Sequence, residues 1–331
     1  RQMCIRDSPN ADALFLTAID KYGHELWRWT FPVDKLNQTN EVFSPLSGKA
    51  TYSETENELT VKAKNHTFIF SKRDGQLKGV SVNNHKISFA NGPRFIGARR
   101  ADRSLDQFYN HDDEKAKEKD RTYSEFPDAA VFTKLEVKED GGNLIVTANY
   151  KLGNLDKAQW TINPNGEAAL DYTYNFSGVV DLIGISFDYP EDQVISKRWL
   201  GAGPYRVWQN RIHGTQYDVW ENDYNDPIPG ETFTYPEFKG YFDSVSWMNI
   251  RTKEGTISLT NETPDSYIGV YQPRDGRDRL LYTLPESGIS VLDVIPPVRN
   301  KVNSTDLCGP SSQPKWVNGP QTGRIIFRFM E

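Results

Sequence analysis

The chain has 331 residues and sets 39 Lys and Arg against 45 Asp and Glu, a formal net charge of −6. A chain of that length buries roughly 75% of its unfolded surface without staples, and the acidic balance excludes a broad phosphate-tracking surface, so no nucleic-acid partner is expected. Cys4 and Cys308 lie near opposite ends with no metal spacing and make no disulfide framework, and no run approaches 18 apolar residues, so no membrane partner is expected either.

In chain order, residues 1–8 share no periodicity with the segment after them and resemble a translated adapter, so they are read as a non-native leader. Between residues 12 and 31, Leu14, Leu16 and Ala18 alternate with other residues ahead of a Lys21-Tyr22-Gly23-His24 turn. Leu26, Trp27, Trp29 and Phe31 come after it, and the whole reads as one hairpin. Because a lone hairpin buries no face, residues 9–31 are expected to be the last strands of a truncated sandwich. Residues 32–50 are polar and aperiodic, as a linker is, and a second domain is expected over 51–331.

From there the hydrophobic period is two rather than 3.6. Residues 58–82 alternate around an Arg73-Asp74-Gly75 turn, and 143–152 and 169–178 repeat the pattern. Further strands are predicted at 183–189, 245–250, 256–261, 266–271, 288–294 and 323–329, with Gly and Pro between them. The charged run at 112–120 reads as a solvated loop or short helix. Twelve or more hairpin-connected strands with no long amphipathic helix imply an all-β fold, a large antiparallel two-sheet sandwich.

Chemistry is sparse along this chain. His24, His66, His85, His111 and His213 form no HExxH or HxxxH arrangement, so no metal site is expected. There is no GxSxG elbow, P-loop or GxGxxG, and nothing in the sequence pairs any two of the 45 acidic residues as a glycosidase would. The dense feature is "RWLGAGPYRVWQNR" at 198–211, where a turn on Gly201, Gly203 and Pro204 is flanked by planar side chains able to stack on a sugar or on one another.

That stretch resembles the Trp-Leu-Gly-x-Gly-Pro signature, ending in Asp or Asn and then Arg, of the last domain of family 2 glycoside hydrolases of the beta-galactosidase type. "FIFSKRDGQLKGVSVNNHKISFANGPRFIGARRADRS" is similar to that domain's opening, and the hairpin before residue 32 is similar to the final strands of the immunoglobulin-like domain that precedes it. The resemblance covers roughly residues 51–331. It implies a galactose-mutarotase-like supersandwich preceded by a remnant immunoglobulin-like hairpin. It also implies that both catalytic glutamates and the metal ligands lie on an upstream barrel absent from this chain. On that basis the fragment carries no catalytic residue, binds no cofactor of its own and is inert alone. Its expected partners are a beta-galactoside or related oligosaccharide and the absent barrel in cis, with a homo-oligomer of the full enzyme left open. The compartment stays open as well, between a bacterial periplasmic or secreted setting and the cytoplasm.

Residues at which the resemblance places sugar or barrel contacts are Arg206, Trp208, Arg211, Glu237, Lys239, Gln313 and Trp316, with Arg206 and Trp208 foremost. Gly201, Gly203 and Pro204 are read as a structural turn. Two departures mark this chain. A Ser-Trp-Ser-Pro run of the family is replaced by Ser311-Ser312-Gln313-Pro314 with Trp316 displaced, and a Glu-Asn-Gly by Phe238-Lys239-Gly240 with Glu237 one place early. Two other readings remain: a free-standing aldose 1-epimerase, which needs a His and a carboxylate poised at the ring oxygen and O1, and a sugar-binding module without chemistry.

Overall fold

The computed structural model describes residues 13–32, 48–100, 123–223, 240–263, 265–271, 285, 287–298 and 308–331. Its strands are β1 (Ala13–Ile19), β2 (Glu25–Pro32), β3 (Thr51–Glu54), β4 (Glu58–Ala63), β5 (His66–Ser71), β6 (Leu77–Val82) and β7 (His85–Ile87). Next come β8 (Ala90–Arg100), β9 (Tyr123–Glu125), β10 (Val131–Asp140), β11 (Asn143–Lys151), β12 (Leu155–Ile162), β13 (Ala168–Val180) and β14 (Leu182–Asp188). The remainder are β15 (Val194–Gly203), β16 (Gln216–Asp223), β17 (Trp247–Thr252), β18 (Gly255–Asn261), β19 (Tyr267–Val270), β20 (Ile289–Val294) and β21 (Lys315–Met330).

Apart from the β1–β2 hairpin, these strands form two antiparallel sheets. The first runs β10-β11-β12-β13-β21-β18-β17-β15-β16; the second runs β19-β20-β14-β8-β6-β5-β4-β3, with β7 on β6 and β9 on β8. The alternation read from the sequence is what places the core. Leu144, Val146 and Ala148 on β11 and Leu170, Tyr172 and Tyr174 on β13 face Leu59 and Val61 on β4 and Phe68 and Phe70 on β5. At the centre Trp160 meets Phe187 from the opposite sheet at 6.0 Å in an edge-to-face arrangement, and Phe187 meets Phe327 at 5.4 Å.

Every strand predicted from periodicity is present. Periodicity does not announce β8, which is buried on both faces, with Phe95 in the central core and Ile96 and Ala98 in a second apolar patch. Such a strand has no polar face to alternate with. The edge strand β10 is also missed; its Lys134, Glu136, Lys138, Glu139 and Asp140 give it the charge of an unpaired sheet edge. The leader, most of the expected linker and the charged run at 112–120 lie outside the described residues.

The chain crosses between sheets immediately after β15. Val207 pairs with Tyr241 and Phe242 with Ile268 on β19, which ties the segment beyond the first sheet to the edge of the second. Val207, Trp208 and Tyr241 thereby cover the outer face of β8, β14 and β20 at Ile96, Ala98, Leu182 and Leu292.

Candidate functional site

Gly201 and Gly203, expected in a turn, lie at the end of β15, and the chain bends only at Pro204 and Tyr205; what the two glycines provide is close approach. A Cβ on Gly201 would stand 3.0 Å from the carbonyl oxygens of Asp243 and Ser244, and one on Gly203 would meet the Trp220 ring at 2.4 Å. Gly203-Pro204 is a cis peptide. Trp199 donates its indole N–H to the Ala202 carbonyl at 3.0 Å and packs edge-on against Phe242 at 4.9 Å. Val207 and Tyr241 exchange backbone hydrogen bonds at 2.8 and 2.9 Å, and the Arg211 N–H closes on the Trp208 carbonyl at 2.8 Å.

Two amides extend this turn to the 308–316 segment. Asn210 donates through Nδ2 to the Val298 carbonyl at 2.8 Å and the Ser312 hydroxyl at 2.9 Å, and its Oδ1 accepts the Val298 N–H at 3.0 Å. Gln209 donates its side-chain N–H to the Gln313 carbonyl at 2.8 Å and its backbone N–H to the Pro296 carbonyl at 3.1 Å. From β8, Arg100 donates to the Ser312 carbonyl at 3.0 Å, and its backbone N–H is accepted by Asp181 at 2.9 Å. Ser312 is fully buried as a result. Neither Asn210 as a clamp nor Arg100 was singled out from sequence. Their partners are 81 to 212 residues away in the chain, a separation no local spacing reports.

The sequence-derived candidates divide by burial. Trp208 is 0% exposed and packs perpendicular to Tyr241 at 5.8 Å, and Arg206 is 4% exposed with its guanidinium 5.8 Å from the Phe242 ring centre. Both side chains are thus enclosed rather than turned to solvent, because the chain folds back over the outer face of the second sheet. Arg211 and Gln313 are exposed, and Trp316 is 69% exposed beside Val179 on β13. Glu237 and Lys239 lie outside the described residues.

Of the described histidines, His213 is exposed two residues beyond Arg211, and the other three stand apart from this region. His66 is spent on the backbone of the last strand, its Nε2 lying 2.8 Å from the Phe329 carbonyl. His24 is 3.1 Å from Asp20 and His85 is 3.7 Å from Glu331, each imidazole exposed at the surface. Among the described residues no group of three or more His, Cys, Asp or Glu is arranged to hold a metal ion, and no helix is long and apolar enough to cross a membrane.

A family model described as beta galactosidase small chain matches residues 62–288. Among curated proteins none matches the chain. Similar solved structures include a galactose 1-epimerase from Lactobacillus acidophilus NCFM, at 9% identity over 86% of this chain and 99% of that one with a TM-score of 0.45. Another is a galactose mutarotase-like protein from Lactobacillus casei ATCC 334, at 10% identity over 85% and 99% with a TM-score of 0.36.

Proposed function

Since the chain belongs to the beta galactosidase small chain family, we propose that it is the C-terminal accessory domain of a beta-galactoside hydrolase whose proton-donating and nucleophilic carboxylates lie on a barrel outside this chain. The observation that carries the reading is how the signature turn is used. Arg206 and Trp208 are enclosed, while Gln209 and Asn210 spend their amides on the 308–316 segment, whose Trp316 is left with 69% of its surface open. A scaffold that fixes one loop and exposes one indole is suited to form a wall of a sugar site completed by another domain. On this reading Arg211, Gln313 and Trp316 are the contact residues, with Glu237 and Lys239 as further candidates, and the hydrolase's metal ions belong to the barrel.

A free-standing aldose 1-epimerase would need an imidazole facing a carboxyl across an empty, sugar-sized space. The two imidazole and carboxylate pairs among the described residues, His24 with Asp20 and His85 with Glu331, sit at exposed surface positions instead. The test is a chromogenic galactoside assay beside polarimetric mutarotation of α-galactose. The purified chain is expected to be silent in both, and addition of the barrel-bearing polypeptide is expected to restore galactoside cleavage. Mutarotation by the chain alone overturns the proposal in favour of the epimerase.

A further inference from the structure

Asparagine followed by glycine is a chemically labile pair. The glycine nitrogen can close on the asparagine side-chain carbon because no Cβ stands in the way, and heat-stable proteins carry fewer such amides. The chain has three of these pairs, Asn91-Gly92, Asn165-Gly166 and Asn318-Gly319, and the fold treats them differently. The Asn91 amide donates to Asp188 at 2.8 Å, and Gly92 is packed so closely that a Cβ there would meet Phe187 at 2.3 Å. Gly166 is buried against the His66 ring, and its N–H is committed to the Asn163 carbonyl at 3.0 Å.

Asn318-Gly319 is open. Both residues lie in the part of β21 that pairs with β13 alone, since β18 joins β21 only from Ile325 onwards. Asn318 is exposed, Gly319 has the left-handed φ of +82, and a Cβ on it would find no atom within 4 Å. Ser177, also exposed, stands opposite Asn318 on β13. Its hydroxyl accepts the Gly319 N–H at 3.3 Å and donates to Asn318 Oδ1 at 3.1 Å. One hydroxyl thus touches both the nitrogen that would attack and the carbonyl oxygen of the amide under attack.

We propose that Asn318 is a site of spontaneous deamidation assisted by the Ser177 hydroxyl. The Gly319 nitrogen bonds to Asn318 Cγ and gives up its proton by way of Ser177 Oγ, while the same hydroxyl bonds the oxygen on which negative charge builds. The Cγ–Nδ2 bond breaks, and ammonia leaves carrying that proton. Water then opens the cyclic imide at either carbonyl and leaves aspartate or isoaspartate at position 318; no oxidant or other reagent takes part. Both products alter the strand. Position 318 is two residues beyond Trp316 and so on the same face of β21, where aspartate places a charge beside the exposed indole. Isoaspartate inserts an extra main-chain carbon and disturbs the pairing of residues 315–317 with 178–180. This is the chain's own chemistry and stands whether or not the chain works on carbohydrate.

Peptide mapping of the full chain by mass spectrometry, after incubation at mildly alkaline pH and physiological temperature, tests it. Cleavage after Lys315 and Arg324 isolates residues 316–324. In the folded wild type that peptide is expected to convert to aspartate and isoaspartate forms ahead of the peptides holding Asn91 and Asn165. Ser177→Ala is expected to slow the conversion about fivefold, less than a positioned acid–base group in a closed site supplies, because this hydroxyl is exposed. Ser177→Thr keeps the hydroxyl and is expected to keep most of the rate. In urea the difference between Ser177→Ala and wild type is expected to vanish, since only the pairing of β13 with β21 brings the hydroxyl to Gly319. An intact Asn318 in aged, folded protein overturns the site, as does faster conversion at Asn91 or Asn165. A Ser177→Ala rate equal to or above wild type, a Ser177→Thr rate as low as that of Ser177→Ala, or a difference that persists in urea overturns the part given to the hydroxyl.

Discussion

At Asn210 one side chain joins three separate stretches of chain: its own turn, Val298 and Ser312. Asn210→Ala deletes all three bonds and leaves the buried Ser312 hydroxyl without its donor. The expected loss is about 1–3 kcal/mol of stability, read by chemical denaturation, with faster amide exchange across 309–316; unchanged exchange there would mean the loop is held by other groups. A second residue, Asp293, lies between the sheets with the Tyr174 hydroxyl donating to it. Burial raises its carboxyl above the ordinary range, and the Tyr174 bond only partly offsets this. The neutral acid is therefore favoured in the fold, so its contribution is present at acidic pH and lost as pH rises through the raised folded-state value. Asp293→Asn keeps an acceptor for Tyr174 without the buried charge. The variant is expected to match wild type at low pH and to melt progressively higher than wild type as pH climbs. A gap between the two that does not change with pH would rule this out. Trp208 and Trp316 teach the limit of residue-level reading: both are tryptophans beside polar turns in the sequence, and only the path of the chain over β8 and β14 makes one core and the other surface.

The turns at residues 21–24 and 73–75 were legible because a turn's chemistry is local, whereas the turn before β13 was not singled out. Between β12 and β13, Asn163 Oδ1 accepts the N–H groups of Asn165 and Glu167, and Gly166 sits at φ +91. A Cβ there would also stand 2.0 Å from His66 Nδ1. Gly166→Ala is expected to cost about 1–2 kcal/mol from the left-handed backbone and more from the displaced ring. In a double-mutant cycle with His66→Ala the ring contribution should vanish and the backbone part remain; additivity of the two substitutions would refute the contact. The β1–β2 hairpin behaves differently from the strands of the sandwich. It is present as read, yet Phe15, Leu16, Trp27, Trp29 and Phe31 are all exposed, and the ion pair reaching from it to the sandwich, Arg28 to Asp218, is long at 3.7 Å with the arginine exposed. Surface pairs of this kind hold little. Amides of β1 and β2 are therefore expected to exchange well ahead of those of β13 and β21, and equal protection would show that the hairpin is supported by more than its turn.

For the molecule as a whole the decisive strand is the last. β21 pairs with β13 along the whole length of that strand and with β18 on its other side, so the C-terminal residues sit in the middle of the first sheet and join β10 to β13 with β15 to β18. A chain ending before Lys315 would split that sheet and expose Phe187 and Trp160, which Phe327 covers. Such a truncation is expected to lose dispersed amide resonances and cooperative melting altogether; a cooperative transition near the wild-type temperature would contradict the central role of β21. Pairing across such sequence separations also predicts folding on the slow side for a single body of this size. The sequence alone determined that the chain forms ribbons with one apolar face, where several of them turn, and that two such faces must stack. It could do so because alternation and turn chemistry are properties of neighbouring residues. The order of strands in each sheet, the central place of β21, the amide clamp on the 308–316 segment and the burial of Trp208 were decided only by the tertiary structure. Each depends on which distant segment lies opposite, and a residue's own neighbours in sequence carry no record of that.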